Sequence, residues 1–203
     1  RSLQTSLDLI EGFRFNSGYV SNSFITNERT GAVEYENPLI LVTDEKIEHI
    51  DQVMKSLELA ARENRPLVIV ANDIEGQALA ALIMNTVRGT LKVAAVKSPR
   101  YGEERRKIMD DLCLSIGGQY ITRANSLQLK DVKLTHFGQC KKISISKTWT
   151  TIVGGKGNEE HIDKRIDALK TEILQTESLK ECEMIQERIT RLASGVAVIR
   201  VGA

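Results

Sequence analysis

Three short apolar runs, separated by stretches of helix length, constrain this chain more than any other feature. They are residues 38–43 (PLILVT), 66–71 (PLVIVA) and 90–96 (TLKVAAV). Each is bounded by a turn former, is rich in aliphatic residues and is too short for a stable helix, so each reads as a buried strand. The first intervening stretch predicts a helix over about 45–63 with Asp44 as its N-cap, and the second a helix over about 75–88 stopped by Gly89. A charged helix over about 103–115 follows, ended by Gly117 and Gly118, and then a fourth short strand, QYIT. Strands alternating with helices in this way are an α/β signature.

The texture changes after residue 140. KKISISKTWTTIVGG (141–155) alternates apolar and polar residues as an antiparallel hairpin does. GFRFNSGYVSNSF (12–24) predicts short extended pieces and turns. A long charged segment, about 159–192, is helical by composition, with a break near 176–179. The closing GVAVIRVGA (195–203) reads as a buried strand. No internal repeat or low-complexity linker divides the chain, which points to one domain.

Composition narrows the function classes. Among 203 residues, 28 Lys and Arg face 27 Asp and Glu, a formal charge of +1. This balance gives no general attraction to nucleic acid or anionic membrane. Aromatics are 4%, which leaves few stacking platforms for single strands. No apolar run reaches the roughly 18 residues of a membrane span. The opening RSLQTSLDLIEGF lacks a signal-peptide pattern, and a start at Arg reads as a piece of something longer. Cys113, Cys140 and Cys182 are odd in number and widely spaced, which favours a reducing compartment. His49, His136 and His161 pair with no cysteine at metal-ligand spacing, so no metal site is expected.

Catalytic patterns are missing too. Gly154-Gly155-Lys156-Gly157 resembles part of a phosphate loop, but no Ser or Thr follows the lysine, and Glu160 breaks the dinucleotide pattern. A glycine turn closing the hairpin is the expectation. The carboxylates Asp110-Asp111 and Glu159-Glu160 read as solvated surface. Arg100, Arg105, Arg106 and Lys107 are interleaved with Glu103 and Glu104 and read as a mixed-sign helix face.

The anomaly is apolar surface. On a helical projection of 75–88, Leu79, Leu82, Ile83 and Val87, extended by Ala80 and Met84, span an arc of roughly 240°, far beyond the ~100° stripe that docks a helix on one sheet. Such a helix is either buried on two sides or shows apolar side chains to solvent. The helix at 45–63 carries a narrower arc of about 140°, with Met54 and Leu57 towards the side away from Val53 and Ala60. An exposed methionine edge suits an adaptable binding surface.

Several segments resemble a group I chaperonin, the bacterial and organelle type. They are EGFRFNSGYVSNSF (11–24), TGAVEYENPLILVTDEKI (30–47), PLVIVANDIEGQALAALIMNTVRGTLKVAAVKSPRYG (66–102) and GVAVIRVGA (195–203). The resemblance covers essentially the whole chain. It implies an apical domain over 11–196 of layered β/β/α architecture, with mixed sheets flanked by helices and a long C-terminal helical segment. Residues 1–10 and 197–203 would be stubs of an intermediate domain. The function implied is capture of non-native polypeptides, and of a co-chaperonin's mobile loop, in an apolar groove between two helices. The matching positions are Tyr19 and Phe24 on an extended segment, Met54 and Leu57 on the first helix, and Leu79, Ile83, Met84 and Asn85 on the second. Ala78, Leu82 and Val87 are assigned to the core. The full-length parent would form a heptameric, often double, ring in bacterial cytoplasm or in a mitochondrial or plastid interior. Its ATP and Mg would sit in an equatorial domain outside this chain, so no catalytic, metal or cofactor residue is assigned here.

The sequence departs from that family's pattern in places. Ser17 stands where an arginine resembling an inter-domain ion-pair partner is usual. Asn22 and Ser23 replace a proline and the second tyrosine of the capture segment. Arg100 replaces a glycine, and Trp149 an acidic residue. Two other classes remain open: a small-molecule site at the carboxyl ends of the parallel strands, near Asn72, Asp73 and Lys97, and a scaffold contacting one fixed partner.

Overall fold

Four fully buried aliphatic residues in a row and a closing buried threonine, Leu39–Thr43, cannot sit at a sheet edge with one wet face. They form the central strand of the computed structural model, which describes residues 12–202 and the side chains of residues 12–196. This strand, β3, pairs in parallel with β5 (Leu67–Ala71), which pairs in parallel with β7 (Val93–Lys97). All of β5 and all of β7 but Lys97 are buried as well, as expected of a parallel sheet covered on both faces. On the other side of β3 lie the short parallel strand β8 (Tyr120–Ile121) and the start of β9 (Gly138–Ile145), which runs antiparallel.

The long strand β9 belongs to two neighbourhoods. Its later residues pair antiparallel with both β10 (Thr150–Gly155) and β2 (Val33–Glu36), and β10 pairs with β1 (Phe13–Phe15). The expected hairpin is therefore present, with Ser146 holding its turn through the Trp149 carbonyl at 2.8 Å. A second, two-stranded sheet joins β4 (Lys46–Ile47) to β6 (Asp73–Ile74) in parallel. The architecture is the mixed α/β arrangement read from the sequence, with mixed sheets and flanking helices.

Helix α1 (Asp51–Glu63) connects β3 to β5, and α2 (Gly76–Val87) connects β5 to β7. Right-handed crossovers stepping the same way across a sheet place their helices on one face, and α1 and α2 touch. Helix α3 (Gly102–Ile116) steps back from β7 to β8 and so takes the opposite face. Helices α4 (Glu159–Gln175) and α5 (Leu179–Gly202) form an antiparallel pair packed against α3, β1 and β10. Gly157 and Gly155 allow the end of β10 to pass the end of α3. A Cβ on Gly157 would lie 2.1 Å from the Leu114 carbonyl oxygen, so the glycine cluster is the close-packed turn expected of it.

Four expectations need correction. The first helix begins at residue 51, not 45, because 46–47 are taken into β4; the Asp44 Oδ1 accepts from the Arg123 amide rather than capping α1. Val87 is 70% exposed and is not core. The backbone of 195–202 continues α5 and is no strand: β-branched residues cost a helix only about 0.5 kcal/mol each, and packing of α5 on β1 and β10, with Val196 buried, offsets that cost. Residues 1–11 and Ala203 lie outside the described residues. Finally, Asp111 is not surface.

Asp111 is fully buried on α3 and ties two further helices to it. Arg188 of α5 donates through Nε at 2.7 Å and Nη2 at 2.9 Å, and Arg165 of α4 through Nη1 at 3.0 Å. The carboxylate raises the pKa of the Arg188 guanidinium chiefly through these hydrogen bonds. Bidentate pairing with charged donors offsets the desolvation that a buried carboxylate suffers. Asp111→Asn should cost about 3 kcal/mol and roughly 10 °C in Tm by calorimetry, because it strands buried guanidinium. An unchanged Tm would show that the cluster holds nothing together. Arg100, at φ +59°, pairs with Glu104 and with Glu187. Urea unfolding should find Arg100→Ala less stable than Arg100→Gly by about 1 kcal/mol, because alanine keeps the left-handed strain and glycine relieves it.

Candidate functional site

The site is built where β4 and β6 deliver two helices side by side. Their parallel pairing, Ile47 opposite Ile74, holds the starts of α1 and α2 in register. The Glu75 amide donates to the Ile47 carbonyl at 2.9 Å, and the Ala78 amide to the Glu48 carbonyl at 3.1 Å. Above them the Lys46 ammonium lies 3.3 Å from Glu75 and 3.5 Å from Glu48, and these carboxylates raise the lysine pKa. No side chain caps Ile50 at the head of α1. Gln52, in the first turn, instead ties the preceding turn to the helix: its Oε1 accepts from the amides of Glu48 and His49 at 2.8 and 2.9 Å, and its Nε2 donates to the Lys46 carbonyl at 3.2 Å.

The two helices bury only part of their apolar residues. Val53, Leu59 and Ala60 of α1, and Ala78 and Leu82 of α2, are buried. Leu57, Leu79 and Ile83 are half-buried and pack on the same core. Met54 is 47% exposed, Met84 46%, and Ile50 and Val87 join them at the surface. Of the two possibilities for the wide arc on α2, the structure takes the second: one side of the helix docks on β7 and the turn at 22–24, and apolar side chains remain facing water. Asn85 uses its Nδ2 to donate to the Ala81 carbonyl at 2.8 Å, within its own helix.

The segment carrying Tyr19 and Phe24 is an edge cover for the sheet. Tyr19 bridges antiparallel to Val96, and the Val20 amide donates to the Ala95 carbonyl at 3.0 Å. Tyr19 is half-buried, its hydroxyl donating to the Gly31 carbonyl at 3.0 Å. Gly18 makes the approach possible, since a Cβ there would sit 1.9 Å from the Ser146 carbonyl oxygen. A short 3-10 turn, Asn22–Phe24, follows, with the Ser21 hydroxyl accepting from the Ser23 amide. Phe24 is fully buried, so its part is to seat this turn beside α2 and not to face a ligand. Asn22 and Ser23 are the exposed residues of the turn. Trp149 lies on the hairpin turn, where the Arg14 guanidinium sits 4.1 Å from its ring centroid.

The structure thus brings Met54, Leu57, Leu79, Ile83 and Met84 onto two touching helices, with Tyr19 and Phe24 anchored in the adjoining cover. Gln52 and Lys46, which position the helices, carry no signal in the sequence: the Gln52 amide group meets backbone groups of a turn that reads as helix, and Glu75, a partner of Lys46, is brought near only by the pairing of β4 with β6. The small-molecule alternative finds less convergence. Lys97 lines an open cavity of about 400 Å³ with Gly18, Lys147 and Thr148, which neither Asn72 nor Asp73 lines. Asp73 uses its Oδ1 to accept from the Ile74 amide. Among the described residues no cluster of His, Cys, Asp or Glu could hold a metal ion.

Gln52→Ala should loosen the head of α1 and lower stability by about 1 kcal/mol in urea unfolding. Gln52→Glu keeps the acceptor and should recover most of that; equal losses in both variants would show that the amides find water instead.

No family model matches the chain.

Proposed function

We propose that this chain is a polypeptide-capture domain, the apical domain of a group I chaperonin-like protein, which takes extended or amphipathic apolar segments on the outer face of α1 and α2. The observation that carries the reading is the exposure of Met54, Met84 and Val87 beside half-buried Leu57, Leu79 and Ile83 on two touching helices. Contiguous apolar surface of this kind is uncommon on a protein that binds nothing. The segments quoted above support the same reading independently of that exposure.

The mechanism is burial of area and needs no bond chemistry. An incoming segment lays apolar side chains over Leu57, Ile83 and Met84, and burying about 300–500 Å² at ~25 cal/mol/Å² gives a gross 8–12 kcal/mol. Association and side-chain ordering remove most of it, so one domain binds at micromolar or weaker. Several copies around a ring would restore tight capture through effective concentration. Because burial is non-directional, clients of unrelated sequence are accepted, and a co-chaperonin loop competes for the same surface. Ser23 sets a hydroxyl on the turn beside α2 where a larger apolar ring would extend the surface. In this reading ATP hydrolysis belongs to the rest of the ring, and the domain's partners are non-native chains and the co-chaperonin.

Titration with a fluorescent amphipathic peptide and with a denatured model protein tests the proposal. Ile83→Ser with Met84→Ser should weaken binding of both ligands at least about tenfold, roughly 1.4 kcal/mol, while circular dichroism stays that of the parent. Binding left intact in the folded variant would move capture elsewhere, and preference for one ligand alone would make the domain a dedicated scaffold.

A further inference from the structure

The chain has four methionines, and the fold treats them unequally. Met109, on α3, is fully buried, and Met184 is half-buried beside the cavity between α3 and α5. Met54 and Met84 stand at 47% and 46% exposure, one on each helix of the capture face. Leucine would supply similar apolar area at either place without the sulfur. Thioether sulfur alone among apolar side chains can be made polar, and restored, without cutting the chain.

We propose that Met54 and Met84 are an oxidation-sensitive pair that switches the capture surface off, an inference that rests on the capture reading above. The oxidant is a peroxide. The thioether sulfur attacks the peroxide O–O bond, one oxygen stays on sulfur as the sulfoxide, and the other leaves as water after taking up a proton. Sulfur loses two electrons and the peroxide gains them. A dithiol, through a methionine sulfoxide reductase, reverses the step, releasing water and a disulfide. Each sulfoxide sets a strong acceptor dipole where an incoming chain would bury apolar area, so its hydration is lost without a partner.

The buried thiols do not compete for this role. Cys113 and Cys140 are buried, and burial pushes the Cys140 thiol up to about 12 and the Cys113 thiol higher, which withholds the reactive thiolate. Cys182 is half-buried, with its Sγ 3.4 Å from the Thr176 carbonyl oxygen on the α4–α5 turn. With Cys182 replaced, oxidation therefore falls first on the capture face.

The test treats the protein, in a Cys182→Ala background, with hydrogen peroxide. Peptide mapping by mass spectrometry is read alongside titration with the fluorescent amphipathic peptide. Met54 and Met84 should gain oxygen before Met184 and well before Met109. Affinity should fall about fivefold for each, given half-exposed side chains of this size, and return after reductase and dithiol treatment. Met54→Leu/Met84→Leu, titrated before and after treatment, should lose no affinity to peroxide, whatever its starting affinity. Binding that survives mapped oxidation of both residues, or a double variant that peroxide still weakens, overturns the switch alone. Absence of binding before oxidation overturns the capture reading and, with it, any switch.

Discussion

Parallel pairing of β3, β5 and β7 is the constraint from which the rest of the molecule follows. Parallel neighbours cannot be joined by a tight turn, so each connection must travel the length of the sheet and return, and here each does so as a helix. Because both connections step in the same direction with the same hand, α1 and α2 must share a face. That face needs only one side of each helix to cover it. The remaining side of α2 is left to solvent, although residues 79–87 are apolar on nearly all sides. The exposed surface is thus a product of topology and of residue choice together: the topology supplies two adjacent helices, and Met54, Met84 and Val87 decline to make their outer side polar.

The opposite face is closed differently. There α3 covers the sheet, and the α4–α5 pair covers α3, held by a carboxylate with no contact with water. Asp111 gathers Arg165 and Arg188 from two helices more than fifty residues away in sequence. Directional bonds of this kind fix the rotation of α4 and α5, which apolar contacts alone leave free to slide. One side of the domain is therefore locked by charge inside, while the other presents unlocked apolar area outside. This asymmetry suits a body that must hold its shape while accepting varied chains.

Much of the fold was legible from local pattern. The runs at 38–43, 66–71 and 90–96 could be strands because nothing else buries so many aliphatic residues in so few positions. Gly117 and Gly89 marked helix ends through their positive φ. What misled was local pattern detached from context. GVAVIR has strand composition, yet it follows sixteen residues of helix and continues them. Residues 45–50 have helical composition, yet Lys46 and Ile47 gain more by pairing with Asp73 and Ile74. Asp111 looked like half of a surface pair because helical periodicity does not reveal that two other helices will pack over it. Val87 looked like core because an apolar residue at helical spacing carries no mark of which side the sheet occupies.

The sequence by itself determined the α/β class, the hairpin, the alternation of the three buried strands with the helices between them, and the excess of apolar side chains on α2. These depend on interactions within about twenty residues, where spacing and side-chain type are sufficient. Tertiary structure decided which of those apolar side chains meet water, which carboxylate is buried, and that Phe24 supports the surface from beneath. Each of these depends on what packs against a residue from a distant part of the chain. Exposure is a property of that neighbour's position, which no local stretch of sequence contains.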